Sequence, residues 1–311
     1  MHANAPAYIN VSVFSSYGGD FQGGETEARE ILRRFPDNED GYLALAFAQL
    51  GQGQLQQATE TYSKLEKLNA HGASMASWGL ADLAVYQGRF ADAVRILEQG
   101  AASDLIAKNN DSAAEKFAAL AYAQMWMQRK GPAIAAAEKA LANSQAIKMR
   151  FLAARVFVAT GQQDKAHKLA AGLASELQSE AQADGKIIES DLALKRKDAR
   201  QAIKALTEAN AFLDTWLGHF ELGRAYLEAN AFAEADSEFD QCLRRRGETL
   251  SLFMDEVPTY GYFPPIYYYQ GHVREGLKSA GYAESYRNYL NIRGQAGEDP
   301  LLPEIHKRLG Q

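Results

Sequence analysis

Leu222-Gly223-Arg224-Ala225-Tyr226, then Asn230-Ala231-Phe232-Ala233-Glu234-Ala235 and Phe239, is the stretch that decides the fold. Its central step, Gly-x-(Phe/Leu)-x-x-Ala with Asn in place of Gly, returns as Gly53-Gln54-Leu55 with Ala58 and as Gly88-Arg89-Phe90 with Ala93. Looser copies begin at Gly19, Gln128, Gly161 and Lys197 and close on Gly24, Ala133, Ala166 and Ala202. The seven closing residues are separated by 34, 35, 40, 33, 36 and 33 positions. A period near 34, with helix-forming composition on both sides of each step, marks an array of helical hairpins in which each repeat packs on its neighbours. The expected class is all-α, and such an array argues against an enzyme.

Each copy has the same mechanics. An Ala-rich apolar helix ends near the Gly, whose unhindered backbone makes the tight turn. The Phe or Leu plugs the hairpin, and the small closing residue lets the second helix approach the first. Pro36, after Ile31-Leu32, stops the second helix of the first repeat. These residues resemble the tetratricopeptide pattern over roughly residues 5 to 292. The resemblance implies an α-solenoid, a right-handed superhelix of helical hairpins, with a C-terminal capping helix.

The chain reads as one continuous array over residues 1–311, with repeats at about 6–37, 40–71, 75–103, 114–143, 147–180, 184–213, 216–246 and 265–291. A polar spacer from Ala101 to Asp111 accounts for the 40-residue step. A second, irregular spacer at 247–264 carries Pro258, Gly261 and Pro264, and cannot be one helix. It is expected to fold back on repeats seven and eight. The eighth hairpin places Gly271 at its helix–helix contact and Tyr286 and Leu290 in its second helix. After the Gly294–Pro300 linker, residues 301–309 form a short cap for the exposed last face.

Composition fits this class, with 311 residues, 47% hydrophobic and only 8 Pro. Net charge is −6 and Lys/Arg are scattered, which argues against a nucleic-acid partner. The one basic run, Arg244-Arg245-Arg246, sits where a helix end favours cations. Cys242 is the single cysteine and reads as a small core residue, compatible with cytoplasm or periplasm alike. The most apolar run, Phe151 to Ala159, is short and interrupted by Arg155, so no direct membrane insertion is expected. The start, Met1 to Pro6, lacks the basic and apolar regions of a signal peptide, and a longer native polypeptide is equally compatible with it.

A narrower resemblance covers roughly the last hundred residues. Leu213-Asp214-Thr215-Trp216-Leu217-Gly218-His219-Phe220, Cys242-Leu243-Arg244, Val257-Pro258-Thr259-Tyr260, Phe263-Pro264-Pro265-Ile266-Tyr267 and Asp299-Pro300-Leu301-Leu302-Pro303 carry it. They are similar to the C-terminal tetratricopeptide region of bacterial eukaryotic-like serine/threonine kinases. What this implies is a sensor or docking module. The chain has no Gly-rich loop with a strand lysine, no His-Arg-Asp and no Asp-Phe-Gly, so it lacks the kinase's own phosphate-transfer parts.

No constellation in the sequence points to catalysis, a cofactor or a metal. The six histidines are dispersed, with no His-Glu-x-x-His. His219-x-Glu221 matches half a deaminase motif whose cysteine half one Cys cannot supply. Gly51-x-Gly53-x-x-Gln56 joins two helices and reads as turn glycines.

Function is therefore expected on a surface. In the tetratricopeptide superhelix the first helix of each repeat lines the concave groove, which holds an extended peptide or partner helix. Counting from each turn, the groove candidates are Phe47, Trp78, Asp82, Tyr86, Tyr122, Trp126, Phe151, Arg155, Asp191, Phe220, Arg224, Tyr268 and His272. Aromatics and Arg are common interface anchors. Against this stands the reading that aromatics at helical spacing are packed core, and that Arg155 and Arg224 pair with neighbouring carboxylates. The Lys/Asn clamp that grips a terminal Glu-Glu-Val-Asp carboxylate is missing, since those slots hold mainly apolar side chains. The expected role is a protein–protein interaction scaffold binding a peptide or protein segment in the groove. The alternatives are a small-molecule-sensing regulatory domain and a structural role with docking on the convex face or on the 257–265 segment. A homodimer is compatible with solenoid ends, but nothing in the sequence specifies one.

Overall fold

The structure, a computed structural model, describes residues 5–254 and 256–310; Met1–Asn4, read above for a targeting signal, lie outside them. Among the described residues there are seventeen α-helices and no strand. They pair as α1 Ala5–Tyr17 with α2 Phe21–Arg34, α3 Glu39–Gly51 with α4 Leu55–Leu65, and α5 Ala70–Tyr86 with α6 Phe90–Ile106. Next come α7 Asn110–Trp126 with α8 Lys130–Asn143, α9 Ile147–Thr160 with α10 Gln163–Ala174, and α11 Ser179–Lys195 with α12 Ala199–Phe212. The array ends with α13 Trp216–Glu228 and α14 Phe232–Arg244, α15 Pro265–Gly276 and α16 Tyr282–Arg293, and α17 Leu302–Leu309.

The repeated sequence step corresponds to one backbone device. Its first residue lies in the left-handed region in all seven copies: Gly19, Gly53, Gly88 and Gly161, but also Gln128, Lys197 and Asn230, at φ between +57° and +88°. Two residues later the second helix of the hairpin begins. Where the side chain is not Gly, the repeat tolerates a conformation that costs L-residues roughly 1–2 kcal/mol. The closing alanines, Ala58, Ala93, Ala133, Ala166, Ala202 and Ala235, are wholly buried, as a close helix approach requires. A Cβ on Gly223 would come 2.7 Å from the Phe239 ring, and one on Gly271 would come 2.3 Å from the Tyr286 ring. Several first helices start on a side-chain cap: Asn38 Oδ1 accepts from Gly41 N, and Thr215 Oγ1 from Gly218 N.

The 40-residue step has a different origin from the expected one. Residues 101–106 are helical, and α6 and α7 run to seventeen residues each, joined through a left-handed Lys108. Ala101 is wholly buried, and Asp104 turns inward to the buried Lys116 Nζ at 2.5 Å and the Ser74 hydroxyl at 2.7 Å. A stretch that reads as a polar spacer therefore continues an internal helix face around one ion pair.

The 247–264 spacer also departs from expectation. It touches α13 through Phe263 and Trp216, then runs on across the inner face of the array. A 3-10 turn, Arg246–Leu250, packs on α1, and the Arg246 guanidinium lies 5.1 Å from the Phe21 ring. Beyond it, Phe253 meets Phe151 at 6.1 Å, Tyr260 stacks on Tyr86 at 5.0 Å, and Tyr262 stacks on Tyr122 at 4.0 Å. The Gly261 N–H donates to Asp82 Oδ1 at 2.8 Å. Arg293, wholly buried at the end of α16, completes the closure. It donates to the carbonyls of Val85, Tyr86 and Gly261 at 2.9–3.1 Å and pairs with Asp299 at 3.4 Å. Repeat eight thus closes on repeat three. The cap α17 buries Leu302 and Ile305 beside Tyr286 and Tyr289.

Candidate functional site

The closure sorts the groove candidates. Phe47 and Phe151 are wholly buried, the first beside Tyr17 at 6.2 Å and the second beside Phe253, so neither presents open surface. Tyr86 is covered by Tyr260, and Asp82 by the Gly261 N–H. Trp126 stacks on Phe90 at 5.4 Å with the Arg293 guanidinium 4.8 Å from its ring. Phe220 is nearly buried, stacked on Trp216 at 5.1 Å. Trp78 is half-buried, with the Lys116 ammonium 5.5 Å from its ring. Tyr268 and His272 lie at the far end of the array beside α17, where Tyr268 Oη donates to Glu304 Oε2 at 2.8 Å.

Four of the candidates converge on one cavity of about 350 Å³ on the inner face: Tyr122, Arg155, Asp191 and Arg224. They come from α7, α9, α11 and α13, equivalent inner helices of consecutive repeats, which is how a periodic array brings residues distant in sequence to one place. The apolar wall adds Met125, Leu152, Val156 and Leu194; Lys195 and Glu228 are exposed; Tyr262 of the spacer and Tyr269 of α15 complete the lining. A cavity of this size is in the range of small-ligand sites.

A charge network backs the wall. Arg155 donates from Nε to Asp191 Oδ2 at 3.2 Å and from Nη2 to Glu221 Oε1. Arg224 donates from Nη1 to Glu221 Oε2 at 2.5 Å, and its guanidinium lies 5.2 Å from the Tyr269 ring. Glu221 is almost completely buried, and burial alone would raise its pKa; the two guanidiniums outweigh that and hold the carboxyl below its ordinary value. Asp191 goes the other way, because burial outweighs Arg155 and pushes its pKa up. Burial works against both arginine charges, but Glu221 and Asp191 keep them firmly protonated. At the covered end of the groove, burial pushes Asp82 up to about 7 despite the Gly261 N–H, and pushes Glu115 up to about 7 as well.

Sequence reading missed Glu221, Tyr262 and Tyr269. Glu221 sits three residues before Arg224 on one helix face, a usable signal. Tyr269 is masked by its neighbour Tyr268, and a helix-register error of one residue exchanges the two. Tyr262 belongs to an irregular segment with no periodicity to read. Among the described residues no group of His, Cys, Asp or Glu could hold a metal ion, and no helix is long and apolar enough to cross a membrane.

No protein-family model matches the chain, and no curated protein matches it in sequence. Solved structures do match. The fold is similar to a tetratricopeptide repeat protein from Parabacteroides merdae ATCC 43184, at 17% identity and TM-score 0.54, covering 86% of this chain and 98% of that one. It is similar to human IFIT1, solved as a dimer with m7Gppp-AAAA, at 11% identity and TM-score 0.57, over 100% of this chain and 73% of that one. A Rap protein complexed with Competence and Sporulation Factor matches at 13% identity and TM-score 0.52, over 98% of each chain. With the left-handed turns, buried alanines and paired helices described above, these likenesses establish the fold as an all-α solenoid of the tetratricopeptide type.

Proposed function

We propose that this chain is a non-catalytic binding protein that takes a segment of a protein or peptide partner on its inner face. The observation that carries the reading is the cavity walled by Tyr122, Leu152, Arg155, Asp191 and Arg224, the part of the inner face that the spacer leaves open. Its wall is held by helix packing and the Glu221 network, so little ordering cost falls on the protein when a ligand enters. The Rap likeness is compatible with a binding role, since that protein was solved complexed with Competence and Sporulation Factor. The IFIT1 likeness would suggest RNA, but the net charge of −6 and the scattered Lys/Arg favour a protein partner. A docking role beside a signalling kinase, implied by the resemblance of the last hundred residues, is one use such a site could serve.

A second reading, small-molecule sensing, is favoured by one observation. Tyr262 and Tyr269 wall the cavity on the side where an open groove would continue, which bounds it to the size of a small ligand. One experiment addresses both readings: selection of linear peptides from a display library, alongside thermal-shift screening of metabolites, each repeated on Leu152→Trp. Binders lost in this variant, whose added bulk fills the cavity, are expected. If neither screen yields a binder sensitive to Leu152→Trp, the cavity is not the site.

A further inference from the structure

We infer that the cavity holds an organic carboxylate against the Nε/Nη2 edge of Arg224. The inference rests on the binding reading above and assigns the chemistry of the guest.

The two arginines are used differently. The Nε and Nη2 of Arg155 are divided between Asp191 and Glu221. Glu221 accepts with both oxygens, one from each arginine. Arg224 gives Glu221 only its Nη1, and its Nε and Nη2 make no hydrogen bond among the described residues. Those two N–H groups run parallel along one edge of the guanidinium, the geometry that matches the two oxygens of a carboxylate. The Tyr269 ring lies 5.2 Å away and restrains the guanidinium, so less freedom remains to be lost on binding.

The surrounding charges admit an anion. Arg155, Arg224 and Lys195 face Asp191, Glu221 and Glu228. Glu221 is shared by the two arginines, and Lys195 and Glu228 are both exposed and offset each other. Both guanidiniums stay charged and burial pushes the pKa of Asp191 up, so an anion on the free edge of Arg224 meets less opposition from that carboxyl than from a solvated one. The apolar remainder of the guest would lie on Leu152, Val156, Met125 and the tyrosine rings. This chemistry has two sources: the free C-terminus of a peptide, or a small aromatic or aliphatic acid.

The test is isothermal titration with N-acetyl-Leu-Phe bearing a free carboxylate, with its C-terminal amide, and with phenylacetate. Wild type, Arg224→Lys and Arg224→Gln are compared after circular dichroism confirms folding. The free-acid dipeptide is expected to bind at least about tenfold more tightly than the amide, the scale of one charge-assisted hydrogen-bond pair. Arg224→Lys, which keeps a charge beside Glu221 but lacks the parallel edge, is expected to weaken binding, and Arg224→Gln to abolish it. Comparable binding by phenylacetate would assign the guest to small acids, and its absence would assign it to peptide ends. Equal binding of acid and amide, or undiminished binding to Arg224→Lys, overturns the carboxylate assignment, as does failure of all three probes to bind wild type. Peptides selected independently and lost in Leu152→Trp would then still uphold the binding function, so the two failures are distinguishable.

Discussion

The inner face of this solenoid has two ends built from the same repeat slots with opposite outcomes. At α5 the inner side chains Asp82 and Tyr86 are covered by the chain's own Tyr260 and Gly261, and Arg293 bonds α5, the spacer and α16 together. At α9, α11 and α13 the equivalent slots hold Arg155, Asp191 and Arg224; Arg155 pairs with Asp191, both arginines pair with Glu221 of the same array, and a cavity is left in front. An inner-face aspartate is present in both. Asp82 takes a backbone N–H from the spacer, and Asp191 takes a guanidinium from its own array. Where a charged slot is satisfied within the array, the groove can stay open; where it is not, the chain folds back and fills it.

The strongest way to break this contrast is at Arg293. Its guanidinium is buried, donates to three carbonyls and pairs with Asp299, so Arg293→Ala strands the Tyr86 and Gly261 carbonyls and leaves a buried carboxylate without its cation. Removing one partner of a buried, hydrogen-bonded pair costs roughly 3–5 kcal/mol. Urea denaturation is expected to show a loss of that size, with hydrogen exchange rising first at Val85, Tyr86 and the 256–263 segment and staying low in α9–α12. A loss under about 1 kcal/mol, or exchange rising uniformly, would show that the closure does not depend on Arg293.

How much of this could be read from the chain follows the periodicity. The helical hairpins, the turn positions, the buried alanines and the contact of Gly271 with Tyr286 repeat a pattern, and one well-preserved copy at 222–239 interprets the weaker ones. The pairing of Arg155 and Arg224 with carboxylates was also accessible, because equivalent slots in neighbouring repeats stack. The spacer was not. Residues 251–263 have neither helical nor strand periodicity, and their course is set by contacts more than a hundred residues away, such as Gly261 with Asp82. The same blindness made Tyr86, Trp126 and Phe151 look like groove surface, since their covering partners lie in the spacer and in α16. The polar residues at 103–104 misled for a related reason. Asp104 belongs inside because Lys116 is there to meet it, and an ion pair between helices leaves no local trace.

The covered end should also be distinguishable by pH. Asp82 has a pKa of about 7 in the fold against an ordinary 3.8, so its protonated form is the one the fold favours. Its contribution to stability is fully present below about pH 4 and is lost as pH rises through 7, because the unfolded chain ionises first. Asp82→Asn removes that ionisation while keeping an oxygen for the Gly261 N–H. The stability of the variant relative to wild type is expected to improve by about 2 kcal/mol between pH 5 and pH 7 and to level off above that. Chemical denaturation at a series of pH values measures it. A difference independent of pH would mean that Asp82 is solvated and that the spacer does not seal this end.

The smallest expected effect compares one turn from each end. Gly88 and Lys197 occupy the same position of the repeat, with φ of +75° and +61°. Gly88 lies under the closure, where a Cβ would come 2.8 Å from Ala296 and 3.3 Å from Arg293, whereas Lys197 is exposed beyond the helix that supplies Asp191 and Leu194 to the cavity. Lys197→Gly relieves left-handed strain but adds freedom to the unfolded chain, and these opposing terms leave a net gain of about 0.5 kcal/mol. Gly88→Ala meets the same backbone strain and in addition pushes Ala296 and Arg293 apart, so its cost is expected to exceed about 1 kcal/mol. The informative quantity is the cycle with Arg293→Ala. If repeat eight rests on the α5–α6 turn, removing Arg293 should reduce the cost of Gly88→Ala and leave the gain from Lys197→Gly unchanged. Additive effects at both turns would mean that strain at Gly88 is purely local and that the two ends of the groove differ only in what covers them.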